Sequence, residues 1–470
     1  MLLSAVPSAA LLFSAVSGAV YLALARRQRT RVTLRNWCGN VLFQPSAIHH
    51  PATLASLQAL VGSAARCKVV GSAHSFNTLA CPSGGALISL AGLALGAPAL
   101  DAATGVCWVP GSFRYSELVG FLAGAPWALH NMASLPHITV AGSLATATHG
   151  SGVGNGNLAS CVVGLELVLA DGSLLRASPS THPEDFAGMV VHLGALGVVT
   201  RVALQLVPAF YCRQVCYQGL TLDAAAEHFD AIMSAGYSVS LFTTWREPLF
   251  EQCWRKCVCA GPAGAGAMEA SEQGLAGLFP AQWHGATRAT QDLHPIPGVS
   301  AAPCTPQLGL PGHAHHRLPH FRADFTPSAG EELQSEYFVP RAHAPAALRA
   351  VAALRASIAP LLHISEIRCV AGDELWLSMA AGRPGGSAAL HFTWKREPEG
   401  VAALLPALEA ALAPFDARPH WGKLASREGS ARARLSYAAF AKFQALRQRL
   451  DPQGKFLNDH LRLLLGEQVD

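Results

Sequence analysis

The chain has 470 residues, carries a net charge of +4, and is 51% hydrophobic but only 14% charged. Such a composition excludes an intrinsically disordered chain, and the length is enough for two or three domains of roughly 100 to 200 residues each. The basic residues are scattered instead of forming clusters with aromatic residues, so we expect no nucleic-acid partner.

The amino-terminal segment lacks charge from Leu2 to Ala25 and is followed by four arginines between residues 26 and 31. At a rise of about 1.5 Å per residue, a run of this length could span a bilayer core of about 30 Å. A signal anchor with its basic flank in the cytosol, a cleaved signal peptide and an organellar transit peptide all fit this pattern. We predict that residues 1–31 are an anchor or targeting segment outside the fold, which would associate the protein with a membrane or an organelle through residues 2–25. A chain without such a segment would be expected in the cytoplasm.

The patterns of the first half predict one helix and several short strands. The helix at residues 51–65 has a proline in its first turn and leucines on one face. Asp171 and Gly172 favour a tight primed turn, which would join two of the strands as a hairpin. The predicted strands cover residues 68–71, 86–90, 106–109, 162–169, 174–177 and 198–207.

From about Tyr211 the sequence changes character. Residues 260–274 are rich in Ala and Gly and residues 295–316 in Pro, Gly and His, which indicates long connections or an insertion near residues 260–316. Because strands and helices are mixed without repeating βαβ units, we predict an α+β fold with two domains. The predicted elements here are strands at 334–339, 364–370 and 388–394 and helices at 344–362, 400–414 and 437–450.

Twelve cysteines are spread over apolar, strand-like segments without the regular spacing of a disulfide framework. Cys253, Cys257 and Cys259 stand closest together, but they lack a C-x-x-C pair and a fourth ligand nearby. We therefore expect buried, reduced thiols and no bound metal.

A loop of small residues follows the predicted strand at residues 68–71. Its sequence is Gly71-Ser72-Ala73-His74-Ser75-Phe76-Asn77. Small residues let backbone N–H groups approach an anionic pyrophosphate closely, and a histidine in such a loop would face the ligand. A lone histidine in a Gly/Ser loop is, however, more commonly a surface or capping residue.

A second segment, from Asn131 to Gly152, is rich in glycine and hydroxyl side chains. It has neither the G-x-x-x-x-G-K-[ST] order of a P-loop nor the G-x-G-x-x-G of a Rossmann turn. Its composition suits backbone contacts to phosphates and to the edge of a ring. Taken alone, an ordinary Ser/Gly loop explains the same composition.

Together the two segments resemble the FAD-binding half of the vanillyl-alcohol-oxidase, or PCMH-type, flavoproteins. The similarity is carried by His74 within Gly-Ser-Ala-His-Ser, by the stretch from Pro136-His137 to Gly152, and by Asn155-Gly156-Asn157. It is strongest with the alditol oxidases, with the sugar-lactone oxidases of ascorbate synthesis as more distant relatives, and it extends from about Trp37 to the carboxyl end.

The resemblance implies a domain organisation. Residues 35–210 would form a two-part PCMH-type FAD-binding domain, and residues 211–415 a substrate or cap domain built on an antiparallel sheet with flanking helices. Residues 416–470 would complete the active site and the FAD domain.

The resemblance also implies how FAD is held. In such enzymes the histidine of the first loop bonds covalently to the flavin 8α carbon, so His74 is the expected attachment point. Ala73 stands where the family usually has glycine, a departure that bears on the conformation of the loop. Further FAD contacts are expected from Val70, Gly71, Ser72, Ala73, Ser75, Ser134, Thr139, Gly142, Thr146, Thr148 and His149.

Polar residues interrupt the apolar pattern of the second half. Glu366 and Arg368, like His391 and Thr393, are two residues apart and would leave the same face of a strand. Lys423 follows a His-Trp-Gly sequence. Each group alone is more commonly an ion pair or a solvated face, but three of them in one half predict a shared pocket.

By resemblance to the alditol oxidases, this pocket binds substrate through Ser134, Glu366, Arg368, Thr393 and Lys423. The implied reaction oxidises the primary hydroxyl of an alditol such as xylitol or sorbitol to the aldose and reduces oxygen to hydrogen peroxide, in a protein expected to be a monomer. Glu366 and Arg368 would hold hydroxyls, and Lys423 would offset the negative charge on the reduced flavin. His391 is the candidate base because its unperturbed pKa of about 6.5 suits neutral pH. An aldono-1,4-lactone oxidase or dehydrogenase and a catalytically inactive anchored flavoprotein are the alternatives.

Overall fold

The computed structural model describes residues 34–261, 272–325 and 330–468. Helices and strands are mixed, and a large antiparallel sheet dominates the second half, which confirms the predicted α+β class. The candidate anchor at residues 1–31 and part of the predicted insertion lie outside the described residues. Within the described ranges, no helix combines the length and the hydrophobicity needed to cross a bilayer.

A three-stranded parallel sheet begins the first half. Helix Leu54–Ser63 packs on it with Leu57 and Val61 fully buried. The helix starts later than predicted because Thr53 caps it: the Thr53 hydroxyl accepts a hydrogen bond of 3.2 Å from the Ser56 N–H. In spatial order the strands are Ala47–His49, Ala86–Ser89 and Cys67–Val70.

A five-stranded antiparallel sheet follows. Helices Tyr115–Phe121 and Val140–Ala145 cover it, and their Leu118 and Leu144 share one hydrophobic core with Leu165 of the sheet. In spatial order the strands are Leu174–Ala177, Val162–Val168, Val198–Gln205, Val106–Pro110 and Ala99–Leu100.

The hairpin between Val162–Val168 and Leu174–Ala177 forms as predicted, but the prediction of a primed turn was wrong. A primed turn needs a positive φ at its first central residue, whereas in this turn Gly172 alone has one, at 85°. The Gly172 N–H donates to the Leu169 carbonyl oxygen at 2.9 Å. The turn therefore starts one residue earlier than the Asp-Gly pattern indicates, and Gly172 closes it in the left-handed conformation.

A ten-stranded antiparallel sheet, the cap sheet, forms most of the second half. One face carries apolar residues such as Tyr337 and Leu390, which pack against helices Ala344–Ala353 and Pro398–Leu412. The opposite face is turned to the first half. The order of its strands is Gln282–Trp283, Ala286–Arg288, Tyr211–Gln218, Gln252–Cys259, Ser238–Thr243, Leu362–Val370, Ser387–Lys395, Glu332–Pro340 and Arg418–Pro419, with Gly312–His313 also paired to the third.

Short elements connect these layers, and the predicted insertion contributes three short strands at one end of the cap sheet. The other described helices are Phe186–Val190, Leu222–Glu227, Phe229–Met233, Glu272–Leu278, Arg355–Ile358, Arg427–Ala433, Phe440–Leu450 and Asp459–Leu465. The other described strands are Leu34–Arg35, Leu42–Phe43, Trp127–Ala128, Val207–Pro208, Leu220–Thr221 and Leu249–Phe250. The twelve cysteines, all within the described ranges, form no disulfide bond.

The carboxyl-terminal segment returns to the first half. Lys455 is only 6% exposed and Asn458 only 1%, so their side chains must find partners inside the protein. They donate to carbonyl oxygens at 2.6 to 3.1 Å: Val61, Gly62 and Ala170 for Lys455, and Thr78, Leu79 and Cys81 for Asn458. These bonds fix the end of the described chain against the loops and strands of the first half.

Candidate active site

One cavity of about 700 Å³ lies between the first half and the cap sheet. Its volume falls in the range of about 300 to 1,000 Å³ that is typical of ligand sites. The structure brings together every residue that the sequence predicted for the site, although their individual roles stay predictions. From the first half the lining includes Val70, Gly71, Ser72, Ala73, His74, Ser75, Ser134, Thr139, Gly142, Thr146, Thr148 and His149, and from the second Glu366, Arg368, His391, Thr393 and Lys423.

The loop from Gly71 to Asn77, here called the histidine loop, is bonded to the segment that carries Lys423. The Asn77 side-chain amide donates to the Lys423 carbonyl oxygen at 2.9 Å. The Phe76 N–H donates to the Gly422 carbonyl oxygen at 2.8 Å. These bonds fix the position of Lys423 relative to the histidine loop, although the two are far apart in the sequence.

Two backbone positions shape the histidine loop. A Cβ on Gly71 would lie 2.3 Å from Thr139 Oγ1, so only glycine lets the loop pack against Thr139. Ala73 has a φ of 52°, which is in the left-handed region where a Cβ costs roughly 1–2 kcal/mol and where glycine fits. The backbone conformation therefore accounts for the glycine that the resemblance leads us to expect at position 73. This chain adopts that conformation with alanine.

His74 lies in the cavity beside Trp37, with the two ring centroids 4.3 Å apart. Burial and the positive charge of Lys423 lower the pKa of His74 to about 3, so its imidazole is neutral at neutral pH. Among the described residues, neither of its ring nitrogens has a hydrogen-bond partner. A neutral imidazole with an unengaged nitrogen is the state that a nucleophile requires.

The second glycine-rich segment closes the cavity around the histidine loop. The Thr139 N–H lies 3.4 Å from Ser72 Oγ and joins the two loops. A Cβ on Gly142 would come within 2.9 Å of Thr139 Oγ1, so Gly142, like Gly71, keeps this wall open. Backbone donors between such small residues are accessible to phosphate oxygens. The residues present therefore fit the pyrophosphate of a dinucleotide such as FAD.

Three central strands of the cap sheet place a row of ionisable side chains on the cavity face. Glu336 is directly opposite His391, and His391 is directly opposite Glu366, in adjacent antiparallel strands. Thr393 and Arg368, two residues further along their strands, leave the same face. All five residues are less than 9% exposed, so their charges interact in a medium poorer in water than a protein surface.

Arg368 lies between the two carboxylates of this row. Its Nη2 is 2.7 Å from Glu336 Oε1, and its Nε is 3.7 Å from Glu366 Oε1. Glu336 Oε1 also lies 3.0 Å from His149 Nε2, which connects the cap sheet to the first half. Burial opposes the ionisation of Glu336, but His149 and Arg368 outweigh it and hold the pKa of this carboxyl well below its ordinary value.

The same balance applies to Glu366. Burial raises its pKa, but Arg368 and then His320, whose Nε2 lies 2.7 Å from Glu366 Oε1, together lower it well below the ordinary range. Glu366 is therefore an anion at neutral pH and acts as a hydrogen-bond acceptor.

Lys423 and His391 complete the polar wall. Lys423 Nζ donates to Gln334 Oε1, and burial lowers the pKa of Lys423 to about 8 despite the opposing effect of Glu336. His391 Nε2 lies 3.2 Å from Thr393 Oγ1, and its Nδ1 lies 3.6 Å from Glu336 Oε2. Burial lowers the pKa of His391. At neutral pH the site thus holds a charged lysine beside a neutral histidine.

The lining also includes residues that the sequence analysis did not assign to the site, among them Gln334, Glu336, His320 and His420. Gln334 and Glu336 show the same two-residue spacing of polar groups within a predicted strand that pointed to Glu366 and Arg368, so that signal could have found them. His320 and His420 lie outside the strands and helices, where no periodicity marks a side chain as inward-facing.

Comparison with known proteins assigns a family to each wall of the cavity. Residues 45–178 match a family described as an FAD binding domain, and residues 330–464 match the D-arabinono-1,4-lactone oxidase family. The chain is 47% identical over 435 residues to an alditol oxidase from a Streptomyces species, in an alignment that covers 92% of this chain and 98% of the relative. It is 30% identical over 438 residues, with the same coverage, to an L-gulono-1,4-lactone dehydrogenase from Mycobacterium tuberculosis. A D-arabinono-1,4-lactone oxidase from Yarrowia lipolytica is 29% identical over 230 residues, which cover 47% of this chain and 43% of the relative.

An FAD-binding half that faces a buried row of Glu, Arg and Lys side chains defines an FAD-dependent oxidoreductase. The extended alignment confirms the resemblance found in the sequence, and the FAD-binding match confirms the cofactor. The chain belongs to the alditol oxidase family, to which the lactone-oxidising enzymes are more distantly related.

Proposed function

We propose that this protein oxidises the primary hydroxyl of an alditol and reduces oxygen, so that an alditol and O₂ give an aldose and H₂O₂. The observation that carries the proposal is that the histidine loop and the Glu366 and Arg368 side chains line the same cavity. The choice of an alditol is supported by 47% identity to an alditol oxidase, compared with 30% to a lactone dehydrogenase of equal coverage.

FAD bound in this cavity would supply the acceptor for the hydride of the substrate carbinol carbon. Gly71, Ser72, Thr139 and the other lining residues of the two glycine-rich segments would hold the cofactor. His74 would carry it covalently through the 8α carbon, a role supported by its neutral imidazole. Lys423 would place a positive charge where negative charge collects on reduction.

A polyol hydroxyl both donates and accepts hydrogen bonds, so its site needs acceptors and donors side by side. Glu366 supplies an ionised acceptor, and Arg368 supplies guanidinium donors held by two carboxylates. Charge-assisted bonds of this kind are roughly twice as strong as neutral ones. The hydroxyls of Ser134 and Thr393 would complete the contacts to the substrate chain.

His391 is the group proposed to remove the hydroxyl proton. With its own proton on Nδ1, directed at Glu336 Oε2 3.6 Å away, it would present Nε2 as the acceptor. Glu336 would then stabilise the imidazolium that forms, as a carboxylate does in other base-and-orienter pairs. Thr393 Oγ1, 3.2 Å from Nε2, marks where a hydroxyl donor can approach.

The choice of substrate is tested by steady-state kinetics on the purified flavoprotein. We expect kcat/KM for xylitol or sorbitol to exceed kcat/KM for L-gulono- or L-galactono-1,4-lactone, with one H₂O₂ formed per substrate oxidised. The reverse preference would make the protein a lactone oxidase. Turnover with an artificial dye but without H₂O₂ would make it a dehydrogenase.

Covalent attachment is tested by acid precipitation. The yellow colour should stay with the precipitate of the native protein and be lost from that of His74→Ala. His50→Ala, which changes an exposed histidine of the same half, is the matched control. Colour that washes out of the native precipitate would exclude the bond to His74, and a protein that stays colourless after addition of FAD would support the inactive alternative.

Two further parts of the proposal concern the whole chain. Residues 2–25 would attach it to a membrane or direct it to an organelle, as supported by the uncharged run and its arginine flank. The fraction sedimenting with membranes should fall when the chain is made to begin at residue 32, and equal distribution would exclude an anchor. That shortened chain should have the mass of a monomer in light scattering.

A further inference from the structure

A buried chain of contacts leads from Glu366 away from the cavity. Glu366 Oε1 lies 2.7 Å from His320 Nε2, and His320 Nδ1 lies 3.3 Å from Lys256 Nζ. Lys256 lies on strand Gln252–Cys259, is fully buried, and also donates to the Leu318 carbonyl oxygen at 2.5 Å. Glu366 and His320 line the cavity, whereas Lys256 lies behind them.

We propose that Lys256 is a positioning residue, whose ammonium donates to His320 Nδ1 and keeps His320 neutral with its proton on Nε2, directed at Glu366. Glu366 Oε1 is then fixed by His320, while Oε2, which has no protein partner among the described residues, is left to accept a substrate hydroxyl. The substrate contact rests on the proposed function, whereas the state of His320 does not.

The charges around His320 favour this arrangement. Glu366 and Arg368 face the ring from one strand and Lys256 from another, while Phe242 and Trp254 pack against it with ring centroids 5.5 and 5.0 Å away. Burial lowers the pKa of His320 to about 4, an effect to which Lys256 adds and which Glu366 opposes.

Lys256 takes up the proton more readily than His320. Burial lowers the pKa of Lys256 to about 7, against the effect of Glu366 and of two nearby thiols, Cys212 and Cys216. Burial also raises the pKa of both thiols, so they are uncharged. Lys256 is therefore mostly charged below about pH 7, where a free histidine would gain its proton, and the pair carries one positive charge, on Lys256.

This placement matters for Glu366. An imidazolium at His320 would neutralise Glu366 and weaken it as an acceptor for a hydroxyl. The other neutral tautomer would turn a lone pair towards the carboxylate and repel it. The Lys256 ammonium disfavours both the imidazolium and the Nδ1–H tautomer of His320. His320 therefore keeps its proton on Nε2 and donates it to Glu366.

The test follows the ring of His320 by NMR in the FAD-loaded protein labelled with ¹³C at histidine Cε1. The His320 signal is assigned by its loss in His320→Gln. In the native protein it should keep its position between about pH 5 and 6.5, where Lys256 is charged and an ordinary histidine gains its proton. In Lys256→Met it should titrate within that range, because removing the neighbouring cation raises the His320 pKa.

A His320 signal that titrates between about pH 5 and 6.5 in the native protein, or one that stays fixed over that range in Lys256→Met, would overturn the inference. Lys256→Gln, which retains an N–H donor without the charge, takes the place of the Met variant if that variant does not fold. Lys455→Met is the matched control, because it removes another buried lysine bonded to carbonyl oxygens and should leave the His320 signal unchanged.

Kinetics separate this inference from the proposed function. If alditols are substrates, log kcat/KM for Lys256→Met should gain an inflection at the pH where its His320 signal titrates, and the native profile should lack it. If the native protein oxidises no alditol, the proposed function fails, but the NMR titration still decides the role of Lys256.

Discussion

Glu336 Oε1 lies 2.7 Å from Arg368 Nη2 and is 3.0 Å from His149 Nε2. Glu336 is only 1% exposed. On the neighbouring strand, His391 lies directly opposite it. One oxygen atom therefore joins the cap sheet to the FAD-binding half, and the same side chain orients the proposed base.

Glu336→Gln should damage both stability and catalysis. The amide keeps the shape of the side chain but leaves a buried guanidinium without one of its counterions, and breaking a buried pair costs about 3–5 kcal/mol. We expect that loss in the free energy of unfolding, and a fall in kcat/KM of about 100-fold because Arg368 and His391 lose their orientation. Asp324→Asn, which breaks an exposed pair with Arg322, should leave both quantities unchanged. Equal effects of the two variants would contradict the assigned role.

Lys423→Met should slow reduction of the bound flavin by an alditol about 10²- to 10³-fold, the usual cost of removing one stabilising group. The pKa of Lys423 is lowered to about 8, so the native protein loses this cation as the pH rises through that value. Its rate of anaerobic reduction, measured by stopped flow, should therefore fall above about pH 8. That alkaline fall should be absent from Lys423→Met and retained in Lys442→Met, where the lysine is exposed. If the reduction rate of Lys423→Met also fell above about pH 8, the titration of another group would be responsible.

Gly71→Ala should abolish retention of FAD. The added methyl would lie 2.3 Å from Thr139 Oγ1 and 3.1 Å from its Cγ2, so the histidine loop must move away from the second glycine-rich segment. Gly92→Ala is the control, since a methyl there meets nothing within 4 Å. The ratio of flavin to protein absorbance after gel filtration measures the difference. Full flavin content in Gly71→Ala would show that this contact does not shape the cofactor site.

Ala73→Gly should leave the fold unchanged and stabilise it slightly. Glycine removes roughly 1–2 kcal/mol of left-handed strain, but the greater entropy of the unfolded chain costs roughly 0.4–1 kcal/mol, so we expect a net gain of between zero and about 1.6 kcal/mol in the free energy of unfolding. Ala64→Gly, at a φ of −69°, removes no strain and should lose about 0.5–1 kcal/mol. Denaturant unfolding of the two variants should thus shift in opposite directions. Covalent flavin incorporation should also be faster in Ala73→Gly than in the native chain.

The lowered pKa values of several buried histidines predict that the folded protein loses stability in acid. Burial lowers the pKa of His192, His315, His320 and His460 to about 4, whereas in the unfolded chain they titrate near 6.5. Between these values the unfolded state binds more protons, so the free energy of unfolding should fall as the pH falls from about 6.5 towards 4. Each histidine contributes up to about 1.4 kcal/mol per pH unit in that window. We would measure the free energy of unfolding in urea at a series of pH values. Its fall with falling pH should be steeper in the native chain than in His460→Gln and the same in His50→Gln as in the native chain.

The sequence predicted two of the three site strands well because their polar residues break an apolar pattern with a period of two. Leu362–Val370 and Ser387–Lys395 lie within two residues of the predicted bounds, and both place their polar pairs in the cavity. The strands Tyr211–Gln218 and Gln252–Cys259 were not predicted. Both are largely buried on their two faces, so no alternation marks them.

Other features depend on contacts between distant segments and leave no local signal. Asn77 reaches the Lys423 carbonyl oxygen, and Glu336 reaches His149, across separations that no pattern in the sequence records. Lys256 looks like an ordinary strand residue in the sequence, yet it is fully buried behind His320. Resemblance to a family supplied the list of site residues. The contacts that position those residues were found only in the folded structure.

The bonds from Lys455 and Asn458 to the first half have a consequence for biosynthesis. Six carbonyl oxygens of the first half accept hydrogen bonds from side chains that are synthesised only after the whole cap sheet. During synthesis these carbonyl oxygens are hydrated, and we expect the first half to complete its packing only once residues 455 and 458 have been added.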